Sequence, residues 1–152
     1  MKLVLIGDAL SPHLLKWAKE LSNRVDLWVV SSRGFLPEFD AFLPIERRFA
    51  FEARPGLFGW VEVFARLHSV GAWLAAIDPD WLNPHYLTSH GLLAVVVKRL
   101  FRLRASLMSS AWGSDVLLAP ERGWLQKRML RWIFASSTLT TSDSQHMAKK
   151  MY

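Results

Sequence analysis

The sequence predicts an alternating α/β domain built on a parallel sheet. Three observations point there. Short apolar runs without polar alternation recur along the chain, as strands covered on both faces require. Stretches with apolar residues at helical spacing separate them. Glycine or small polar residues close each run, so every strand hands over to a helix through a polar turn. The 152 residues, 51% hydrophobic and 21% charged, suit one globular domain with a buried core.

Leu3 to Ile6 is the first strand, and Gly7-Asp8 its exit. Ser11-Pro12 supplies an N-cap and the residue preferred in the first helical turn, and Leu14, Leu15, Trp17, Ala18 and Leu21 form the apolar face of a helix to about Ser22. Val25 to Val30 is the second strand, closed by Ser31-Ser32-Arg33-Gly34. Pro37, Pro44 and Pro55 break any long helix that follows, leaving room for a short strand near Ile45 or Phe49. From Gly59 onward Val61, Phe64, Ala65, Leu67, His68, Ala72, Leu74 and Ala75 spell a largely buried helix, which Gly71 weakens by roughly 1 kcal/mol relative to Ala. Asp78-Pro79-Asp80 ends it.

Trp81 to Asn83 then reads as a strand, Leu92 to Leu103 as a helix with Thr88 or Ser89 at its N-cap, and Ala105 to Ser110 as a buried strand. A loop from Val116 to Gly123 leads to a helix from Trp124 to about Ser136. Leu125, Met129, Ile133 and Phe134 are expected inward on it, and Lys127, Arg128 and Arg131 outward. Thr138 to Thr141 is the last strand, and Ser142-Asp143-Ser144 caps a final helix still running at Tyr152. No internal repeat, low-complexity segment or linker divides the chain.

Charge and composition narrow the function. The net charge of +6 and pI near 10.1 favour an anionic partner. RNA-module aromatic motifs and a helix-turn-helix are both missing, so no nucleic acid is expected. The chain has no cysteine, hence no disulfide framework and no thiolate metal site. His68, His85 and His90 lack the spacing of a zinc motif, so no metal is expected either. Asp8 cuts the N-terminal apolar run too early for a signal peptide, and Glu62, Arg66 and His68 interrupt the most apolar long window. These features predict a cytoplasmic protein. Lys98, Arg99, Arg102 and Arg104, with Arg122, Lys127, Arg128 and Arg131, form either a solvated face or, interleaved with Leu100, Phe101, Leu103 and Trp124, a peripheral contact with the anionic inner face of a membrane.

Ligands of open parallel sheets bind beyond the carboxyl ends of the strands. Three stretches fall there. Gly7-Asp8 with His13 forms a strand-loop-helix junction able to receive a phosphate or sugar oxygen, or simply a tight turn before a capped helix. His85 and Tyr86 do not cap a helix and could hydrogen-bond a hydroxylated substrate. Trp112-Gly113-Ser114-Asp115 combines a flat apolar ring, a residue permitting close backbone approach, and polar groups; the plainer alternative is a turn beside a buried tryptophan.

Taken in order, Leu-Ile-Gly-Asp with Ser-Pro-His-x-x-x-Trp (Leu5 to Trp17), Asp-Pro-Asp-Trp-Leu-Asn-Pro-His-Tyr-Leu-Thr (Asp78 to Thr88), Trp-Gly-Ser-Asp-Val-Leu (Trp112 to Leu117) and Thr-Ser-Asp-Ser (Thr141 to Ser144) resemble the N-terminal domain of family 4 glycosyltransferases. The resemblance covers nearly the whole chain. It implies a Rossmann-like parallel sheet flanked by helices, the N-terminal half of a GT-B architecture. The partner half, a C-terminal domain binding the nucleotide-activated sugar through a pair of glutamates, is expected to be missing, so residues 1–152 would form an acceptor-side domain incomplete at its C-terminal end. Where many relatives have His-x-His this chain has Asn83-Pro84-His85, and Trp112 stands where many have His, leaving His85 as the matched catalytic candidate.

The implied reaction moves a sugar from a nucleotide diphosphate donor to a hydroxyl on a sugar, glycan or lipid-linked acceptor, with retention. The donor is then a substrate, and no cofactor is required. In retaining chemistry the leaving phosphate takes the acceptor's proton, so His85 and Asp115, with Tyr86, would orient sugar and acceptor. Gly7, Asp8, His13, Trp112, Gly113 and Ser114 would bind substrate. The chain alone should then be inactive. The alternatives are a non-catalytic remnant that binds a glycan or anionic ligand, and an unrelated flavodoxin-like domain, which shares the fold but not the motif order.

Overall fold

A computed structural model of the chain describes residues 1–51, 67–113, 123–142 and 144–150. Six strands, β1 (Lys2–Gly7), β2 (Asp26–Ser31), β3 (Arg48–Ala50), β4 (Trp81–Pro84), β5 (Ser106–Ala111) and β6 (Leu139–Ser142), form one sheet in the order β3-β2-β1-β4-β5-β6. Every neighbouring pair is parallel. The order reverses between β1 and β4, which places the topological switch point at their carboxyl ends. Phe49, rather than Ile45, carries the third strand; Ile45 lies in the single turn Ile45–Arg47 before it.

The two faces of the sheet hold separate cores, because alternate residues of each strand point opposite ways. Leu3, Leu5, Leu27 and Val29 pack under α1 (Pro12–Ser22) together with Phe39 and Leu43 from the irregular stretch after β2. Val4, Ile6, Val30, Leu82 and Leu107 pack under α2 (Leu67–Ile77), α3 (Leu92–Leu100) and α4 (Trp124–Ser136). A short α5 (Gln145–Lys150) follows β6. Helix α1 begins as the sequence predicts, with Ser11 Oγ accepting from His13 N and Pro12 in the first turn.

Three local expectations are revised. Neither Thr88 nor Ser89 caps α3: Leu87–Gly91 forms a π-turn with no side-chain cap, and α3 starts directly from it at Leu92. On α4, Leu125 is 63% exposed, whereas Leu130 and Ile133 are buried, so the inward stripe is rotated from the expected one. Lys127, Arg128 and Arg131 are outward as expected. Trp17 is 42% exposed, not part of the α1 core, which Leu14 and Ala18 supply. The helix expected from Gly59, the loop from Val116, and Arg122 and Asp143 fall wholly or partly outside the described residues, α2 being described from Leu67.

Candidate functional site

At the switch point β4 ends in a polar residue inside the sheet. Asn83 is 1% exposed, a position that normally demands an apolar side chain, and its amide is fully used. Nδ2 donates to Met108 O at 2.6 Å and to Ser110 Oγ at 2.9 Å, and the Ser110 and Thr141 hydroxyls share a bond of 2.9 Å. This polar ladder crosses β4, β5 and β6 at their carboxyl ends. It leaves Asn83 Oδ1 as an acceptor, and His85 Nε2 sits 3.2 Å from it. The proton of His85 is therefore on Nε2, and the lone pair on Nδ1.

His85 continues the sheet for one more residue, with its N–H donating to Ile6 O at 2.8 Å and a parallel bridge to Ser110. The sequence reading has it lining a pocket; instead it is only 2% exposed. Trp17 meets its ring edge-on at 5.8 Å and Trp112 lies tilted at 5.8 Å, so two indoles cover it. Burial, assisted by the neighbouring His90, lowers its pKa from 6.5 to about 4. His85 is thus a neutral imidazole at pH 7, and Nδ1 has no hydrogen-bond partner among the described residues.

His90, a candidate metal ligand by residue type alone, is a second buried imidazole. Its Nδ1 donates to His85 O at 2.8 Å, fixing the lone pair on Nε2, which also lacks a partner among the described residues. Burial lowers its pKa to about 4 as well, opposed by the bond to the His85 carbonyl and the charge of Asp8. Between the two histidines Tyr86 takes φ 67° and ψ 100°, a strained backbone for a bulky residue, and opens the π-turn. Such turns are frequent at functional sites. The strain presents the Tyr86 ring to Trp112, stacked at 5.8 Å and 17°.

His13 and Trp17, one turn apart on α1, project to the same place. His13 meets Trp112 at 5.3 Å. An open groove of about 370 Å³, lined by His13, Lys16, Trp17, Glu20 and Trp112, runs over the buried His85. Flat indole faces beside cationic and carboxylate side chains suit a ring that is apolar on its faces and hydroxylated at its edge.

Of the other residues singled out by sequence, Gly7 backs this cluster: an added Cβ would press Leu14 at 3.0 Å and stand 3.5 Å from His85 Cβ. Asp8 turns away to the loop, accepting from Leu10 N at 3.0 Å and pairing with Arg33. Ser31 braces the same loop by accepting from Ala9 N at 3.0 Å and donating to Gly34 O at 2.8 Å. Among the described residues nothing comes within 4 Å of where a Gly113 side chain would begin. Ser114 and Asp115 lie outside the described residues. The structure therefore assembles His13, His85, Tyr86 and Trp112, and adds Trp17, Asn83 and His90. Among the described residues no cluster of three potential metal ligands occurs. No described helix is long and apolar enough to cross a membrane.

Solved structures similar to this one include the UDP-N-acetylglucosamine 2-epimerase from Rickettsia bellii, with 14% identity, a TM-score of 0.65, and 99% of this chain covering 41% of that one. The UDP-GlcNAc 2-epimerase from Methanocaldococcus jannaschii is 13% identical with a TM-score of 0.63, and 99% of this chain covers 42% of it. Likeness at these identities shows the fold, a Rossmann-like α/β domain of the GT-B kind. The chain spans well under half the length of either protein. No curated protein matches it in sequence. Residues 2–144, which contain the whole cluster around His85, match the family described as "Glycosyl transferase 4-like", and the chain belongs to that family.

Proposed function

We propose that this chain is the acceptor-side domain of a glycosyltransferase that moves a sugar from a nucleotide diphosphate donor to a hydroxyl, with retention. The observation that supports it best is the groove walled by Trp17 and Trp112 at the switch point, above a neutral, tautomer-fixed His85. In this reading the indoles hold the apolar faces of an acceptor sugar. Lys16, Glu20 and His13 hydrogen-bond its edge. His85 stays behind the indoles, its Nδ1 buried and without a partner among the described residues, and backs the wall of the groove. A histidine with a pKa near 4 is a weak base, which matches a mechanism in which the leaving phosphate takes the proton and the protein supplies positioning. Asp115 and Tyr86 share that orienting role, and the backbone at Gly113 approaches the diphosphate.

Saturation-transfer NMR tests the reading, with methyl glycosides of common hexoses on one side and uridine diphosphate on the other. Saccharides should bind, and Trp17→Ala and Trp112→Ala should each weaken them about tenfold, as the loss of a stacking face entails. Nucleotide binding without saccharide binding would overturn the acceptor assignment. The purified chain, spanning 41% of the Rickettsia bellii protein it resembles, should transfer no sugar from labelled nucleotide sugars.

A further inference from the structure

The chain carries a basic, partly apolar face that the site around His85 does not use. Residues 92–104 and 124–136 hold seven basic residues and no acidic one, against a net charge of +6 for the whole chain, so the rest is close to neutral. No Asp or Glu occurs anywhere in 81–113 or 124–142. The fold gathers this charge on one side. Helices α3 and α4 cover the same face of the sheet, and Arg99 lies over the Trp132 ring at 5.0 Å, joining their surfaces. Arg99, Arg102, Arg104, Lys127, Arg128 and Arg131 are all exposed.

Apolar side chains stand among these cations. Trp124 is 74% exposed, Leu125 63% and Leu100 64%. On α4 an open groove of about 450 Å³ is lined by Leu125, Arg128, Met129 and Trp132, the spacing of one helical stripe. A solvated face would not need exposed tryptophan and leucine, and a nucleic-acid face would not need leucine. Basic residues flanking Trp and Leu on one helix are what an anionic bilayer interface selects.

We propose that the α3–α4 face docks on an anionic membrane surface, with Trp124 and Leu125 entering the headgroup region and the arginines and lysines facing acidic lipid. Trp124 opens α4, the helix that follows β5, so Trp124 and Leu125 lie toward the carboxyl edge of the sheet where the groove over His85 also opens, and Leu100, which ends α3 before β5, lies toward the opposite edge. Docking would bring that edge close to the bilayer.

Vesicle co-sedimentation of the full chain decides the matter, using phosphatidylcholine alone and phosphatidylcholine mixed with phosphatidylglycerol. Binding should require the anionic lipid and fall as salt rises. The variant Lys127→Glu/Arg128→Glu/Arg131→Glu should bind at least about tenfold more weakly. Lys19→Glu/Arg24→Glu, changes on and beside α1 across the sheet, should bind nearly as well as the native chain. Trp124→Ser/Leu125→Ser should weaken binding with no change in charge, and serves if the triple variant does not fold. Absence of vesicle binding, equal binding to both lipids, or equal losses on both sides of the sheet would overturn the proposal. So would a dimer detected by light scattering that Leu125→Ser dissociates in a chain that ignores vesicles.

Discussion

The amide oxygen of Asn83 accepts the Nε2 proton of His85 at 3.2 Å, two residues along the chain and on one side of the sheet. Because Asn83 Nδ2 is committed to Met108 O and Ser110 Oγ, the amide cannot flip, and the imidazole can hold only one tautomer. We expect ¹⁵N imidazole spectra of the native chain to show His85 neutral at pH 7 with its proton on Nε2. In Asn83→Leu the spectra should report a mixture of tautomers. That change also strands the Met108 carbonyl and the His85 ring Nε2–H, so it should cost on the order of 3 kcal/mol in chemical denaturation. A single Nε2–H tautomer surviving in the variant would show that Asn83 does not set it.

His85 and His90 should make the fold sensitive to acid. Each has its pKa lowered from 6.5 to about 4 by burial, so between these values the unfolded chain binds protons that the folded chain refuses. Their contribution is complete above about pH 6.5 and is lost as pH falls toward about 4. At pH 5 the loss should be on the order of 2 kcal/mol for each histidine. Urea titrations at pH 7.5 and pH 5 measure it, and His90→Gln should shrink the difference by about half. An unchanged pH dependence in that variant would mean that other groups govern the acid limb.

Gly71 looks like a defect in α2, since helix propensity alone would make Gly71→Ala stabilising by roughly 1 kcal/mol. Packing says the reverse. A Cβ at this position would overlap the ring of Phe101, which follows α3 and closes that helix against α2. The ring, partly buried against the core, would have to shift, at a cost of about 1 to 3 kcal/mol. We therefore expect Gly71→Ala to lower the denaturation midpoint, and Phe101→Leu to lessen the penalty when combined with it. A more stable Gly71→Ala would show that α2 and α3 can move apart.

The elements that could be read from sequence are those whose evidence is local. Buried parallel strands announce themselves as apolar runs, and Ser11-Pro12 sets the start of α1 by chemistry within its own turn. What could not be read depends on contacts between distant segments. Thr88 and Ser89 look like caps, but the chain enters α3 through a π-turn whose Gly91 is so close to α4 that an added Cβ would stand 3.4 Å from Ile133. Trp17 fits the apolar period of α1, and only the position of that helix beside the strand ends turns it into a groove wall. His85 was legible as a site residue, whereas its burial by two indoles was not. Asn83 did leave a signal, a polar side chain in a strand otherwise covered on both faces, and it is Asn83 that disciplines the histidine.

Tyr86 holds backbone strain just past the end of β4. Its φ of 67° with ψ of 100° is held between β4 and the π-turn, and Gly91 N–H donates back to Tyr86 O at 3.0 Å, closing the turn. The ring separately stacks on Trp112. Two variants separate these contributions. Tyr86→Ala loses the ring and keeps a Cβ at positive φ, while Tyr86→Gly loses the ring and relieves the strain. Ordinarily Gly is the less stable of the two by about 0.5 to 1 kcal/mol, because it loses more backbone entropy on folding. Here the order should invert, with Tyr86→Gly more stable by about 1 kcal/mol as judged by denaturant midpoints. Both variants should weaken saccharide binding equally, since both remove the ring that supports Trp112. If Ala proves the more stable, the positive φ is not a source of strain; if Gly binds saccharide much more weakly than Ala, the strained backbone itself organises the groove.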